Sequence, residues 1–142
     1  MMNKRGIVWL AVTLLMAACA QLPPKPQDIQ GWKFEPVPDK AVIYIVRGAV
    51  DAPIVAPLSI GNAGLIATHA GTFFRWEVAP GVQRIETFGA SMSSVTVQAQ
   101  AGQIYFVEHV VSGNSRLGLA SALLRRVDET RGRRLVLHAQ HI

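Results

Sequence analysis

Short apolar runs separated by turn residues fill the chain from Ala41 onward, and this spacing constrains its fold more than any other feature. Val82 to Phe88 and Ser94 to Ala99 alternate between apolar and polar side chains. A two-residue period is typical of a strand with one buried face. Turn signals such as Pro80-Gly81 recur at spacings of roughly 8–12 residues. The pattern predicts a mainly β chain, an antiparallel β-sandwich of about seven to eight short strands.

Two of the predicted strands carry further information about their surroundings. Ala41 to Arg47 is apolar on both faces, which is typical of a central strand covered from both sides. Thr72 to Val78 is expected to point alternate side chains to opposite faces of its sheet. One face then carries Phe74, Trp76 and Val78, and the other carries Phe73, Arg75 and Glu77.

The last 25 residues or so fit two descriptions. Leu117, Ala120, Leu124 and Val127 form a helical stripe, whereas Leu117, Leu119 and Leu123 also fit strand alternation. Acidic residues followed by arginines over 128–134 have the charge order of a helix. Gly132 weakens a helix by about 1 kcal/mol. We favour a strand near residues 122–127 followed by a short C-terminal helix, with 128–142 open to either assignment.

The first 18 residues have the layout of a secretory signal peptide with a signal helix. Lys4 and Arg5 precede an apolar run of 11 residues, Ile7 to Ala17. That run is too short to cross a bilayer, because a transmembrane helix needs about 20 apolar residues. The sequence therefore predicts export, with the signal removed.

Cys19, the single cysteine of the chain, follows the small residues that precede the predicted cleavage site. Leu15-Met16-Ala17-Ala18-Cys19 resembles a bacterial lipobox, although Met16 stands where that motif usually has Leu. The resemblance implies that the thiol of Cys19 receives diacylglycerol and becomes the acylated N-terminus. Asp after the cysteine marks inner-membrane retention in such proteins, so Ala20 implies the outer membrane, facing the periplasm. Ordinary secretion with cleavage after Ala20 is the alternative.

Five prolines within residues 21–39 predict a semi-extended tether, since proline disfavours helices and central strands. The predicted organisation is a signal peptide over 1–18, a lipidated cysteine and tether over 19–39, and a β-sandwich domain over 40–142. Trp32 and Phe34 interrupt the polar character of the tether. We expect them to pack back on the domain edge, and an aromatic pair for a partner or membrane is the alternative.

Five short segments follow one another along the chain in a fixed order: Lys40–Arg47, Gly61–Leu65, Gly71–Phe74, Pro80-Gly81 and Ala101–Val107. Together they resemble a family of small bacterial lipoproteins with a β-sandwich domain of unknown function. The chain is also similar, more distantly, to PEGA-like surface domains. The resemblance covers about residues 34–130 and implies a fold and an envelope location without a reaction. A His often follows the Pro-Gly turn in that family, whereas Val82-Gln83 stand here.

Two surfaces are candidates for contact with a partner. The first is the aromatic strand with Phe73, Phe74 and Trp76. The second is a basic stretch, which could contact an anionic surface or remain a solvated, locally paired tail because Asp128 and Glu129 lie among its arginines. It comprises Arg125, Arg126, Arg131, Arg133 and Arg134.

The sequence gives little support for nucleic-acid binding, metal binding or catalysis. Without Lys4 and Arg5 the formal charge falls from +5 to +3, which is weak evidence for nucleic acid, and we expect no such partner. His138 and His141 are three apart, but they lack the further ligands of a metal site. No Gly-x-Ser-x-Gly turn and no phosphate-binding glycine loop occur. We predict no cofactor, no metal and no catalytic residues.

The function that these features favour is non-enzymatic: a membrane-anchored module that binds or scaffolds an envelope component. A small-ligand or metal-binding periplasmic module is the alternative, and a hydrolase is a more remote one. A pocket lined by Tyr44, Tyr105 and Trp76 would favour the ligand-binding alternative, because buried ligand sites combine aromatic walls with a few polar groups.

Overall fold

The computed structural model describes residues 31–88, 92–114 and 119–142. The predicted signal peptide, Cys19 and the first part of the tether lie outside these residues. Within them the chain forms nine strands and one helix, so the predicted mainly β fold is confirmed. The elements are β1 (Ala41–Val46), β2 (Ala56–Ile60), β3 (Leu65–Thr68), β4 (Thr72–Val78), β5 (Gly81–Thr87), β6 (Ser94–Ala99), β7 (Ile104–Asn114), β8 (Leu119–Val127), α1 (Glu129–Leu137) and β9 (Gln140–His141).

The strands form two sheets. A five-stranded sheet has the order β8-β7-β1-β4-β9, and a four-stranded sheet has the order β3-β2-β5-β6. The four-stranded sheet is antiparallel throughout. The five-stranded sheet is mixed, because β1 pairs in parallel with β7 and β4 pairs in parallel with β9. These two pairings depart from the predicted antiparallel arrangement, and the other pairings follow it. Strands that are distant in sequence meet in this sheet, so no hairpin turn dictates their direction.

The main core lies between the two sheets. Alternate residues of each strand point into it, as the sequence pattern predicted for β4, β5 and β6. Ile43 and Val107 enter from the five-stranded sheet, and Leu58, Ile85 and Val97 enter from the other, all with negligible exposure. These side chains fill the space between the sheets.

A second core covers the outer face of the five-stranded sheet, which explains why β1 is apolar on both sides. Val42 and Tyr44 of β1 pack there with Phe106 of β7 and Val136 of α1. Gly132 allows the helix to approach closely, because a Cβ at that position would lie 2.2 Å from the Phe106 ring. The glycine that weakens the helix locally is required by this packing.

The C-terminal tail folds as favoured from the sequence, with a strand followed by a short helix. Asp128 caps α1, and its Oδ1 accepts a hydrogen bond from the backbone N–H of Arg131 at 2.9 Å. Such caps satisfy one of the donors that have no partner in the first helical turn. The helix ends at Leu137, and the N–H of His138 then bonds to the carbonyl of Leu135.

The packed part of the chain begins before β1. Phe34 is buried against Tyr44 and Phe106 on the outer face. The Trp32 ring contacts the edge of Phe73, and its Nε1 donates to the carbonyl of Ala139 at 3.3 Å. The expectation that both aromatics pack on the domain is confirmed. This packing extends to residues that precede the predicted domain start at residue 40.

Candidate functional site

The aromatic strand is part of the core, so the first candidate surface does not exist as an exposed patch. Phe73 is 1% exposed and Trp76 is 8% exposed. Phe74 is partly buried and packs against the core between the sheets. The interpretation of these three residues as a contact surface was wrong for a physical reason. Both faces of β4 are covered, one by the second sheet and the other by the C-terminal segment and Trp32.

The five arginines of the second candidate surface come from two elements. Arg125 and Arg126 lie on β8, and Arg131, Arg133 and Arg134 lie on α1. Strand pairing places Glu108 of β7 directly opposite Arg125. The first turn of α1, which follows β8 after one residue, places Arg131 beside the same carboxylate. We call Glu108, Arg125, Arg126 and Arg131 the arginine cluster.

Glu108 accepts hydrogen bonds from two guanidinium groups. Its Oε2 lies 2.8 Å from Nε of Arg125 and 3.0 Å from Nε of Arg131. Its Oε1 lies 2.8 Å from Nη2 of Arg131. Burial by itself raises the pKa of Glu108, but the hydrogen bonds from Arg131 and Arg125 outweigh it, so the net pKa lies below its usual value. The carboxylate is therefore ionised and holds both arginines in fixed positions.

The two arginines keep donors that Glu108 does not use. The side chains of Arg125 and Arg131 are 49% and 46% exposed, whereas that of Glu108 is 6% exposed. Both Nη groups of Arg125 and Nη1 of Arg131 have no bond to the carboxylate. A guanidinium with a free N–H fork binds carboxylate or phosphate oxygens well, especially when its orientation is already set.

A shallow, open depression of about 320 Å³ lies over the arginine cluster. Three arginines are among its lining residues, and the guanidinium of one of them, Arg126, stacks over the Tyr105 ring on the other face of the sheet, at 5.6 Å from the centroid. Asp128 is the only carboxylate among the residues that line this depression, and its Oδ1 is engaged in capping α1. The site can therefore accept an anionic group from outside the domain. The lining residues are Arg125, Arg126, Val127, Asp128 and Arg131.

The other two arginines contribute less to this site. Arg133 forms an ion pair with Glu129 at 2.6 Å, and its guanidinium lies over the Phe34 ring at 4.6 Å from the centroid. For Arg133, this ion pair confirms the alternative in which the basic stretch is a locally paired tail. Arg134 lies in the last turn of α1, where a cation suits the negative end of the helix.

A second polar cluster is buried inside the sandwich, at the end where β1 stops. The Arg47 guanidinium donates to the carbonyls of Ala52, Ile54 and Thr68, the last at 3.0 Å. Its Nε lies 3.4 Å from Oδ2 of Asp51. Burial lowers the pKa of Arg47, and the Asp51 carboxylate opposes this. Every contact of this guanidinium is internal, so the cluster braces the loop between β1 and β2.

His109 completes that buried cluster in the neutral form. Its Nδ1 lies 3.1 Å from Oγ1 of Thr68, and that hydroxyl donates its own hydrogen to the carbonyl of Ala56. Nδ1 must therefore carry the imidazole proton, which leaves Nε2 as a buried lone pair. Burial, together with the nearby Arg47 charge, lowers the pKa of His109 to about 4.

The remaining histidines do not gather into a metal site. His138 lies at the C-terminus of α1, where its Nδ1 contacts the carbonyl of Arg134, and His141 stacks on Phe73 from β9. His69 is exposed. Within residues 31–88, 92–114 and 119–142, no group of three His, Cys, Asp or Glu side chains could hold a metal ion.

The aromatic pocket that would favour a small ligand is not formed. Tyr44 lies in the core on the outer face of the five-stranded sheet, whereas Trp76 and Tyr105 belong to the core between the sheets. The three side chains are separated by the sheet itself, so they cannot line one cavity.

Three polar residues of these clusters were missed by sequence reasoning. Glu108 and His109 interrupt an otherwise apolar run, and Arg47 ends another. Charged or polar residues within apolar strands need partners when buried, and this signal could have identified them. The partners of Glu108 and His109 lie far away in sequence and could not have been named, whereas Asp51, which pairs with Arg47, lies only four residues away.

Comparison with profiles of protein families gives no match, and comparison with characterised proteins gives none either. Among the residues that the structure describes, no helix has the length and apolar character needed to span a bilayer.

Proposed function

We propose that the protein is a lipid-anchored bacterial envelope protein whose β-sandwich domain binds or scaffolds an anionic envelope component, without catalysing a reaction. The arginine cluster carries this proposal. A buried carboxylate fixes the half-exposed guanidinium groups of Arg125 and Arg131, and both of these residues line an open depression together with Arg126. A carboxylate or phosphate group of a partner would complete these hydrogen bonds.

The membrane anchor in this proposal rests on the sequence around Cys19. Acylation of the thiol would place the domain at the periplasmic side of the outer membrane, given Ala20 at the following position. One acyl chain binds a bilayer only marginally, whereas two or three on one residue hold it firmly. The intact mass of the membrane-extracted protein tests this point. An N-terminus at Cys19 with added acyl mass is expected, and a mass without acyl chains would contradict it.

The binding role is tested by crosslinking the acylated protein in its native membrane and quantifying what it captures. The double substitution Arg125→Gln and Arg126→Gln removes two guanidinium groups and leaves Glu108 paired with Arg131. We expect a strong loss of the specific crosslinked product. Arg84→Gln is the matched control, because Arg84 is an exposed arginine paired with Glu86 on the other sheet. Equal crosslinking by both variants would remove the support for a role of the arginine cluster.

A further inference from the structure

Several connections meet at one end of the sandwich, which we call the loop end. Parallel pairing of β1 and β7 places the segment after Val46 beside the second half of β7. Antiparallel pairing brings the start of β4, the end of β7 and the start of β8 to the same end. In the other sheet, β2 begins there and β3 ends there. The end of β5 and the start of β6 also lie at this end, because Leu58 pairs with Thr87 and Glu86 pairs with Ser94.

The loop end carries large apolar side chains that are open to solvent. Val50 is 100% exposed, Met92 78%, Val55 55% and Phe88 47%. Isolated apolar residues are common on protein surfaces, but four on the connections at one end are a candidate contact surface. The opposite end, which we call the turn end, exposes Leu65 and Val82.

The loop that carries Val50 and Val55 is braced from inside. The Arg47 guanidinium holds the carbonyls of Ala52 and Ile54. Oδ2 of Asp51 accepts from the N–H of Val111 at 2.9 Å, so the acidic group of this loop is turned inward. The loop therefore presents apolar side chains with little ordering cost on contact and without an outward carboxylate from Asp51.

Gly31, the first residue that the structure describes, lies at this same end. A Cβ at Gly31 would lie 2.9 Å from the Phe73 ring, and Phe73 pairs with Val46 at the end of β1. Trp32 is 36% exposed beside it, and Lys33 is exposed. The 11 residues from 20 to 30 span at most about 40 Å when fully extended. An anchor at Cys19 would therefore be attached to the domain at the loop end.

We propose that the loop end faces the lipid surface, with Val50, Val55, Phe88 and Met92 entering the interfacial region and Trp32 beside them. This inference rests on the acylated Cys19 of the proposed function. The amphipathic indole of Trp32 suits the interface, and Lys33 suits anionic head groups. In this orientation the arginine cluster, along the β8 edge of the five-stranded sheet, remains accessible to a partner in the periplasm.

A single introduced cysteine at each end tests the orientation. Val50→Cys at the loop end and Val82→Cys at the turn end replace exposed valines, so neither disturbs the core. In the acylated protein the thiol of Cys19 is blocked, and a fluorescent label attaches only to the new cysteine. Each labelled protein is reconstituted in vesicles of phosphatidylethanolamine and phosphatidylglycerol. Quenching by a lipid-soluble agent is then compared with quenching by a water-soluble one.

We expect the label at position 50 to be quenched several-fold more by the lipid-soluble agent than the label at position 82. Equal, water-like quenching at both positions would overturn the orientation. Stronger quenching by the lipid-soluble agent at position 82 than at position 50 would also overturn it, because the turn end would then face the bilayer. The protein without an introduced cysteine is the control. If it takes up the label at Cys19 and does not float with the vesicles, Cys19 is not acylated and the proposed function loses its anchor. The two failures are therefore distinguishable.

A second measurement uses the two tryptophans of the mature chain, of which Trp76 is buried. Vesicles with brominated acyl chains should quench Trp32 fluorescence. The substitutions Val50→Asp and Met92→Asp together should reduce this quenching, whereas Leu65→Asp and Val82→Asp together should leave it unchanged. Equal effects of the two pairs would contradict lipid contact at the loop end.

Discussion

Glu108 and His109 are consecutive residues of β7, yet they belong to two clusters of opposite character. Glu108 points to the outer face and pairs with two half-exposed arginines. His109 points between the sheets and bonds to Thr68, beside a guanidinium that contacts only internal groups. The inner cluster has used its donors within the domain, whereas the outer cluster retains donors for another molecule. The difference teaches that a polar residue in a strand indicates a binding site only when its partners remain partly exposed.

The largest expected effect comes from removing the buried cation of the inner cluster. Arg47→Met leaves Asp51 without its counter-charge and three backbone carbonyls without a donor. Loss of one partner from a buried pair costs about 3–5 kcal/mol of unfolding free energy. Denaturant unfolding measures this loss. Arg84→Met, which removes an exposed arginine, should change stability by no more than about 0.5 kcal/mol. Similar losses in both variants would remove the distinction between buried and exposed arginines.

The next effect is a pH dependence of stability that belongs to His109. Its folded pKa of about 4 lies below the ordinary value of 6.5, so the unfolded chain binds the proton more readily. Stability should therefore fall as pH falls from 6.5 to 4, by about 3 kcal/mol at most. His109→Asn should flatten the slope above pH 4.5, whatever its effect on absolute stability.

Unfolding at a series of pH values separates this histidine from the carboxylates. The pKa of Glu108 and that of Glu77 are lowered, so their contributions are lost only below pH 4.5. An unchanged slope between pH 6.5 and 4.5 in the His109→Asn variant would show that His109 is not the titrating group.

A smaller effect on stability is expected in the outer cluster. Glu108→Gln removes the charge that holds Arg125 and Arg131, and we expect a loss of about 2 kcal/mol, between the values for exposed and buried pairs. The variant also leaves more positive charge at the depression. Crosslinking to the anionic partner should persist while its salt dependence steepens. A loss of stability as large as that of Arg47→Met would indicate that Glu108, like Arg47, has a purely structural role.

The smallest effect concerns the cap that positions Arg131. Asp128→Ala removes the acceptor for the backbone N–H of Arg131 and should cost about 1 kcal/mol. Asp128→Asn keeps that acceptor and should restore most of the loss. If the Asp128→Asn variant regains both the stability and the crosslinking that Asp128→Ala loses, the cap orders the arginine cluster. Failure of Asn to restore either property would exclude this role.

Part of the fold could be predicted because its physics is local. Alternation assigned the two faces of β4, β5 and β6, and Pro80-Gly81 marked the turn between β4 and β5. The charge order of α1 is also a local feature, and the helix was expected for that reason. The parallel pairing of β1 with β7 could not be predicted, because no short connection links these strands.

The features of the candidate site likewise separate into those that depend on local sequence and those that depend on distant segments. The sequence alone identified the arginines as a group, and it identified Cys19 as the residue that predicts an anchor. It also predicted which side chains of β4 share a face. Only the tertiary structure decided that both faces of β4 are covered, that Glu108 unites Arg125 with Arg131, and that Gly31 lies at the loop end. The physical reason is that alternation and charge order are local properties of a chain. Burial and ion pairing depend instead on which distant segments lie on each face of a strand.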